Sequence, residues 1–155
     1  MFLLLAFTCF ILSVYGQQCP NGYHQHEQSC YAVVNFIAKW NYAETMCQAA
    51  GSHLASVETD AERLYLNQYI NFLHGTQYRY YWIGAFNYID GTYMSVGAKT
   101  NLGQIPWYPG EPSNRPGEHC LMMVQDNHSL FGDLGCDTKQ AFVCEIELNS
   151  TTVRQ

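Results

Sequence analysis

The chain has 155 residues, with 13 acidic and 7 basic side chains and a formal net charge of −6. This length fits one domain of ordinary size. Because Lys and Arg are few, the chain lacks the positive surface that nucleic-acid binding requires, which argues against a nucleic-acid partner. Acidity also suits a site for a hard cation, although most surface carboxylates are simply solvated.

The first residues of the chain indicate its compartment. Residues 1–16 carry no charged side chain, apolar runs cover residues 2–7 and 10–12, and Gly16 offers a small residue for cleavage. This pattern predicts a signal peptide over residues 1–16 and a secreted, extracellular product. A membrane anchor needs about 20 apolar residues, and the polar run from Gln17 ends this segment too early. No later apolar stretch is long enough to span a bilayer, so we expect a soluble product.

The cysteines predict a disulfide framework. Cys9 lies in the predicted signal peptide, and an even set in a secreted chain is typical of disulfides. Sequence alone does not choose among the possible pairings. Zinc is the alternative, but no Cys-x-x-Cys pair and no His-x-x-x-His spacing supports it. The remaining cysteines are Cys19, Cys30, Cys47, Cys120, Cys136 and Cys144.

Two helices are predicted after a strand over residues 31–36. Asn41 and Glu44 have the spacing of a capping box for the first helix, and Gly51 ends it. Thr59 and Glu62 predict a second capping box, with Gly75 as the stop for that helix. Apolar residues at helical spacing form one face on each helix. These faces are Ala43, Met46, Cys47 and Ala50 on the first helix, and Leu66, Tyr69, Ile70 and Leu73 on the second.

The second half of the chain predicts strands around a long loop. Residues 80–85 are aromatic and β-branched, and residues 120–124, 129–134 and 141–145 are typical of short strands. Residues 86–117 are rich in Gly, Pro and Asn and show no lasting periodicity. An irregular loop of that length in a compact domain is usually functional. Helices followed by strands predict an α+β fold.

Several short segments then show a family pattern. Together with the cysteines, they make residues 19–145 resemble the C-type lectin-like family. The resemblance implies an α+β fold of two helices packed on small antiparallel sheets, with a long irregular loop region and three disulfides. We therefore expect this domain over residues 17–146 and a flexible tail over residues 147–155. The segments are Trp82-Ile83-Gly84-Ala85 for the family's Trp-Ile-Gly-Leu, Gly110-Glu111-Pro112-Ser113 for its Glu-Pro-Asn sugar motif, Glu118-His119-Cys120 for Glu-Asp-Cys, Phe131-Gly132-Asp133 for Trp-Asn-Asp, and Phe142-Val143-Cys144-Glu145 for Phe-Ile-Cys-Glu.

The resemblance also implies a disulfide pairing. The implied bridges are structural, and Trp82 is expected in the core because its neighbours are apolar. The implied pairs are Cys47 with Cys144, Cys120 with Cys136, and Cys19 with Cys30.

A calcium and sugar site is implied in the long loop. Calcium takes oxygen ligands, and Glu111, Glu118 and Asp133 supply carboxylates. In the family, two neighbouring sugar hydroxyls complete the shell of the ion and donate hydrogen bonds to the same carboxylates. The peptide bond before Pro112 is cis in the family, and the cis form has a low conformational free energy only at an X-Pro bond. Glu111, Ser113, Glu118 and Asp133 are thus the candidate ligands for both calcium and carbohydrate.

Three departures from the pattern weaken this site. Ser113 replaces Asn or Asp, Gly132 replaces Asn and so removes a side-chain oxygen, and Phe131 replaces Trp. We expect weak calcium binding, at about 10⁻⁴–10⁻³ M. An auxiliary calcium position is expected to be eroded. Asp90, Asn114 and Glu118 could contribute to it, but His119 stands where Asp is common, and Phe86 or Asn87 stands where another Asp is expected.

These residues predict a calcium-dependent lectin whose partners are glycans or glycoproteins of microbial or matrix origin. The predicted sugar preference is for mannose, because Glu111 keeps the mannose-side acceptor. The alternative is a non-enzymatic matrix or biomineral interaction protein, similar to perlucin, with this fold and no sugar binding; a venom role is also open. No hydrolase or phosphate-binding motif is present, so we expect no enzyme. Nothing demands a covalent oligomer. Asn127 and Asn149 begin glycosylation sequons.

Overall fold

A computed structural model describes residues 19–87, 90–97, 102–126 and 128–148 of the chain. The predicted signal peptide, both sequon asparagines Asn127 and Asn149, and most of the predicted tail lie outside these ranges. Within them, the last strand continues to Glu147, one residue past the predicted end of the domain. No helix of this part of the chain is long and apolar enough to cross a membrane.

The described residues form an α+β fold, as predicted. The elements are β1 His24–His26, β2 Ser29–Ala38, α1 Trp40–Ala49, β3 His53–Leu54, α2 Asp60–His74, β4 Tyr80–Asn87, β5 Tyr93–Ser95, β6 Glu118–Val124, β7 Phe131–Gly135 and β8 Gln140–Glu147. The strands join one sheet in the order β1-β2-β8-β4-β6-β7, with β3 added on β8 and β5 on β4. These strands pair antiparallel except for β4 with β8, and this parallel pairing joins the small antiparallel sheets expected from the resemblance into one.

The predicted cap of the first helix is wrong. α1 begins at Trp40, its N-cap is Lys39, and no side chain caps it. Tertiary contacts fix this start, because the Trp40 amide donates to the Cys136 carbonyl (3.0 Å) and its indole donates to the Ile83 carbonyl (2.9 Å). The Glu44 side chain does not cap the helix, because its carboxylate accepts a hydrogen bond from the amide of Leu54 (2.7 Å). The helix buries Ala43 and Cys47, whereas Met46 is half-buried and Ala50 is exposed.

The predicted cap of the second helix is confirmed. The Thr59 hydroxyl accepts a hydrogen bond from the Glu62 amide (3.2 Å), which satisfies one of the free N–H groups of the first turn. The Glu62 carboxylate in turn accepts from the Glu58 amide (2.9 Å). Gly75 ends the helix with a positive φ of 56°. The buried face is shorter than predicted: it consists of Leu66, Asn67 and Ile70, while Tyr69 is half-buried and Leu73 is 42% exposed.

The centre of the fold explains the Trp82–Ala85 motif. Trp82 is fully buried, as predicted, and its indole N–H donates to the Ala38 carbonyl (2.9 Å). Gly84 lies where β4 meets the end of β3, and a Cβ at this position would stand 2.2 Å from the Leu54 carbonyl oxygen. Only glycine therefore allows this close approach of two backbones.

The disulfides of the structure are the pairs that the resemblance implies. Cys47 in α1 joins Cys144 in β8, and this bridge spans 97 residues. The second bridge, Cys120–Cys136, connects β6 to the turn after β7, and the third, Cys19–Cys30, holds the segment before β1 to β2.

A buried acidic cluster links α2 to the sheet. Glu145 is 3% exposed and accepts hydrogen bonds from the Ser29 hydroxyl (2.6 Å) and the Ser56 amide (2.8 Å). Tyr31 lies between two carboxylates, donating to Glu62 (2.6 Å) and lying 3.3 Å from Glu145. Burial raises the pKa of Glu145 and the pKa of Glu62 above the ordinary value of 4.5.

These raised pKa values predict a pH dependence of stability. The folded state holds protons on Glu62 and Glu145 more tightly than the unfolded state, so their contribution is complete below pH 4.5. That contribution is lost as the pH rises through the folded pKa values. Glu145→Gln removes one titrating group, so its free energy of unfolding is expected to fall less between pH 4.5 and 7. Urea unfolding in EDTA measures both profiles, and equal slopes would contradict the assignment.

Candidate functional site

The site forms where the long loop runs along strand β7. The Tyr108 amide donates to the Phe131 carbonyl (2.7 Å), and the Phe131 amide donates to the Pro106 carbonyl (3.0 Å). These bonds lay residues 106–108 alongside β7 and bring the following turn above Asp133. Phe131 itself is 3% exposed and packs in the core, as a bulky replacement for Trp should.

The four candidate ligands reach this place from three segments. Glu111 and Ser113 flank Pro112, and the Glu111–Pro112 bond is cis, as the resemblance implies. Glu118 opens β6, and Asp133 lies in the middle of β7. Because β6 and β7 are antiparallel neighbours, the two strands carry these carboxylates to the same edge of the loop.

One hydrogen-bond network joins all four residues. The Asp133 carboxylate accepts from the amides of Ser113 (2.7 Å) and Asn114 (2.8 Å). Glu111 accepts from the amides of Asp133 (3.1 Å) and Ser113 (3.3 Å). The Ser113 hydroxyl donates to the Glu118 carboxylate. The network thus links three carboxylates through Ser113 and the backbone around Pro112.

The pKa values of Glu111 and Asp133 are shifted in opposite directions. Burial raises the pKa of Glu111, and a hydrogen bond between its carboxyl group and Asp133 raises it further. Burial alone would also raise the pKa of Asp133, which is 2% exposed. Hydrogen bonds from the Glu111 carboxyl and from the amides of Ser113 and Asn114 outweigh burial and lower the pKa of Asp133. Asp133 is therefore the more persistent negative charge of the pair.

The donor set fits a hard cation. Three carboxylates and one hydroxyl are all oxygen ligands, which is the chemistry that calcium takes in proteins. The carboxylates are nevertheless turned onto hydrogen-bond donors. Within the described ranges, no group of three His, Cys, Asp or Glu side chains is arranged around one metal position. The residues that would hold calcium are therefore gathered, but they are hydrogen-bonded to one another and to the backbone.

The residues of the auxiliary position are engaged locally. Asp90 is exposed and accepts from the Thr92 amide (3.0 Å), and hydrogen bonds from Thr92 lower its pKa. Asn87 accepts from the Gly91 amide (3.1 Å), and the Asn114 side chain donates to the Pro112 carbonyl (3.2 Å). Phe86 packs edge-on against Trp40, and His119 is exposed. The contacts described do not unite these residues around a second ion.

Two contributions to the site were missed from the sequence. Tyr93 is 3% exposed, and burial raises its pKa, with Asp133 as the next cause. It lies in β5, inside the predicted irregular loop, and a strand of three residues gives too short a pattern to be detected from the sequence. The Asn114 amide was missed as well, because a backbone donor leaves no mark in a side-chain pattern.

Comparisons with known proteins agree with this architecture. The family model described as Lectin C-type domain matches residues 37–146. Perlucin of Haliotis laevigata is 33% identical over 132 residues, which cover 83% of each chain.

Solved structures share the fold. The crystal structure of the C-type lectin CEL-I from Cucumaria echinata superposes with a TM-score of 0.78 at 22% identity, covering 86% of this chain and 100% of that one. A calcium-independent type II antifreeze protein superposes with a TM-score of 0.74 at 25% identity, covering 85% of this chain and 96% of that one. From the family match, the relative and the fold together, the chain belongs to the C-type lectin domain family.

Proposed function

We propose that this protein binds carbohydrate in a calcium-dependent manner through Glu111, Ser113, Glu118 and Asp133. The observation that carries the proposal is the single network in which three carboxylates meet around Ser113. A cluster of like charges at one loop edge is costly without protons or a cation to neutralise it. Here hydrogen bonds from the amides of Ser113, Asn114 and Asp133 to these carboxylates reduce that cost.

The three carboxylates have different parts in the proposed sugar binding. When bound, calcium supplies coordination positions for two neighbouring hydroxyls of a sugar. The carboxylates of Glu111 and Glu118 accept hydrogen bonds from those hydroxyls, and such charged acceptors bind more strongly than neutral ones. Asp133 supports the loop through the amides of Ser113 and Asn114, so it fixes the position of the other ligands.

The partners proposed are extracellular glycans or glycoproteins, of microbial or matrix origin. The disulfide framework supports secretion, because disulfides persist in oxidising compartments. The proposed activity is binding without catalysis, and Asn127 and Asn149 are proposed glycosylation sites.

Affinity chromatography tests the proposal. The protein is loaded on mannose resin and on galactose resin in calcium, washed, and eluted with EDTA. Retention that EDTA reverses is the expected result, whereas retention unaffected by EDTA would contradict the calcium mechanism. Asp137→Ala is the matched control for site variants, because Asp137 is an exposed carboxylate whose ion pair with Lys39 lies on the surface.

The sugar preference is expected to favour mannose over galactose weakly. Glu111 keeps an acceptor for the equatorial hydroxyls of mannose, whereas the Ser113 hydroxyl both donates and accepts and so rejects little. Ser113→Asn is expected to sharpen the preference, because an amide presents a fixed donor and a fixed acceptor. Inhibition of glycan binding by free mannose and free galactose measures it. A clear galactose preference in the natural protein would contradict this prediction.

The second candidate function is interaction with matrix or mineral without sugar binding. The hydrogen-bonded arrangement of the carboxylates favours it, since no trio in the described ranges already surrounds a metal position. The likeness to a calcium-independent antifreeze protein also favours this second function. A glycan array with and without calcium separates the two functions, because only the first predicts calcium-dependent signals.

A further inference from the structure

Gly132 lies in β7 directly before Asp133, and its missing side chain leaves a space that another residue fills. A Cβ at position 132 would stand 3.1 Å from Cγ and 3.2 Å from Cδ of Glu111, and 2.7 Å from the terminal methyl of Met122. The Met122 methyl is the end of a flexible side chain and is able to move aside. The Glu111 carbons are close enough that a Cβ would move this side chain by a few tenths of an ångström. Its hydrogen bonds from the amides of Asp133 (3.1 Å) and Ser113 (3.3 Å) are already long, so such a shift would weaken them.

The position of Glu111 against Gly132 determines its partners. Lying on the strand, Glu111 accepts hydrogen bonds from the amides of Asp133 (3.1 Å) and Ser113 (3.3 Å). A carboxyl group in these bonds has fewer lone pairs free for a cation. Binding a cation at Asp133 therefore requires Glu111 to give up part of this arrangement, and the cost of that change lowers the apparent affinity.

Resting on the proposed function, we infer that Gly132 is a positioning residue that sets the calcium affinity of the site. By leaving room for Glu111 on β7, Gly132 stabilises the arrangement in which Glu111 is hydrogen-bonded to the Asp133 amide. This arrangement competes with calcium. The weak affinity expected of the protein thus has a second cause besides the missing Asn oxygen at position 132.

Gly132→Ala separates the two causes, because it adds the displacing Cβ without adding a ligand oxygen. The matched control is Gly135→Ala in the same strand, where the nearest neighbour of a Cβ is the Gly117 carbonyl oxygen at an ordinary 3.7 Å. In calcium-free protein, amide hydrogen exchange at Asp133 is expected to be about tenfold faster in Gly132→Ala, the equivalent of one lost hydrogen bond. The Phe131 amide, bonded to Pro106, serves as the internal reference and should not change.

Calcium titration by calorimetry supplies the second measurement. Gly132→Ala is expected to bind calcium about tenfold more tightly than the natural protein, and Gly135→Ala is expected to match it. Unchanged exchange at Asp133, or an affinity no higher than that of the natural protein, overturns the inference. Absence of calcium binding in all three proteins would instead contradict the proposed function, and the exchange at Asp133 would still decide whether Gly132 positions Glu111.

Discussion

Asp133→Ala is expected to abolish calcium-dependent sugar binding and the stabilisation that calcium provides. The Asp133 carboxylate accepts hydrogen bonds from the amides of Ser113 and Asn114, so its removal takes away one ligand and the support of another, Ser113. At a calcium concentration about 100 times Kd, mass action stabilises the natural protein by about 2.7 kcal/mol. In a domain of this size that raises Tm by several degrees.

Thermal unfolding with 10 mM calcium (about ten to a hundred times the expected Kd) or EDTA measures the effect. Asp137→Ala should keep the full calcium response, and Asp133→Asn should lose it while preserving the size of the side chain. The EDTA curve of Asp133→Ala reports whether the cation-free protein is folded. If folded Asp133→Ala responds to calcium like the natural protein, calcium binds elsewhere.

Removal of the Cys47–Cys144 bridge is expected to destabilise the fold more than removal of Cys19–Cys30. In the chain-entropy model, stabilisation grows with the length of the closed loop. The Cys47–Cys144 bridge spans 97 residues and is worth up to about 4.7 kcal/mol, whereas Cys19–Cys30 spans 11 residues and is worth about 3 kcal/mol. Since small domains have free energies of unfolding of about 5–15 kcal/mol, loss of the longer bridge would remove a large share of the total stability.

Two double variants, Cys47→Ala/Cys144→Ala and Cys19→Ala/Cys30→Ala, allow this comparison by urea unfolding. Alanine is used because Cys47 is fully buried and Cys144 is 3% exposed, so a serine hydroxyl would lose its water partners. Equal losses in the two variants would show that loop length is not the deciding factor.

The parts of the fold that the sequence predicted well depend on local or self-contained signals. The Thr59 cap needs only the four residues of one turn, and Trp82 is surrounded by apolar neighbours in its own strand. The Asn41 cap failed because the start of α1 is fixed by Cys136 and Ile83, which are far away in sequence. β5 was missed because three residues paired to β4 give too short a pattern to detect within a loop.

The same distinction holds for the site. The family pattern identified Glu111, Glu118 and Asp133 as candidates, and their role in calcium binding stays a prediction. Their arrangement could not be predicted, because it depends on the path of residues 106–114 along β7 and on backbone amides. The effect of Gly132 was predicted only as a lost oxygen, since the packing of Glu111 against it is a contact between distant segments.

The pairing of β2 with β8 has a mechanical consequence. Ser29 is opposite Glu147, and the Leu148 amide donates to the Gln28 carbonyl (2.7 Å), so the start of β2 and the end of β8 lie side by side. Tension applied there peels the two strands apart one residue pair at a time. The Cys47–Cys144 bridge then carries the load across the molecule. The loop around Pro112 lies between these two cysteines, so its backbone is outside the path of the force.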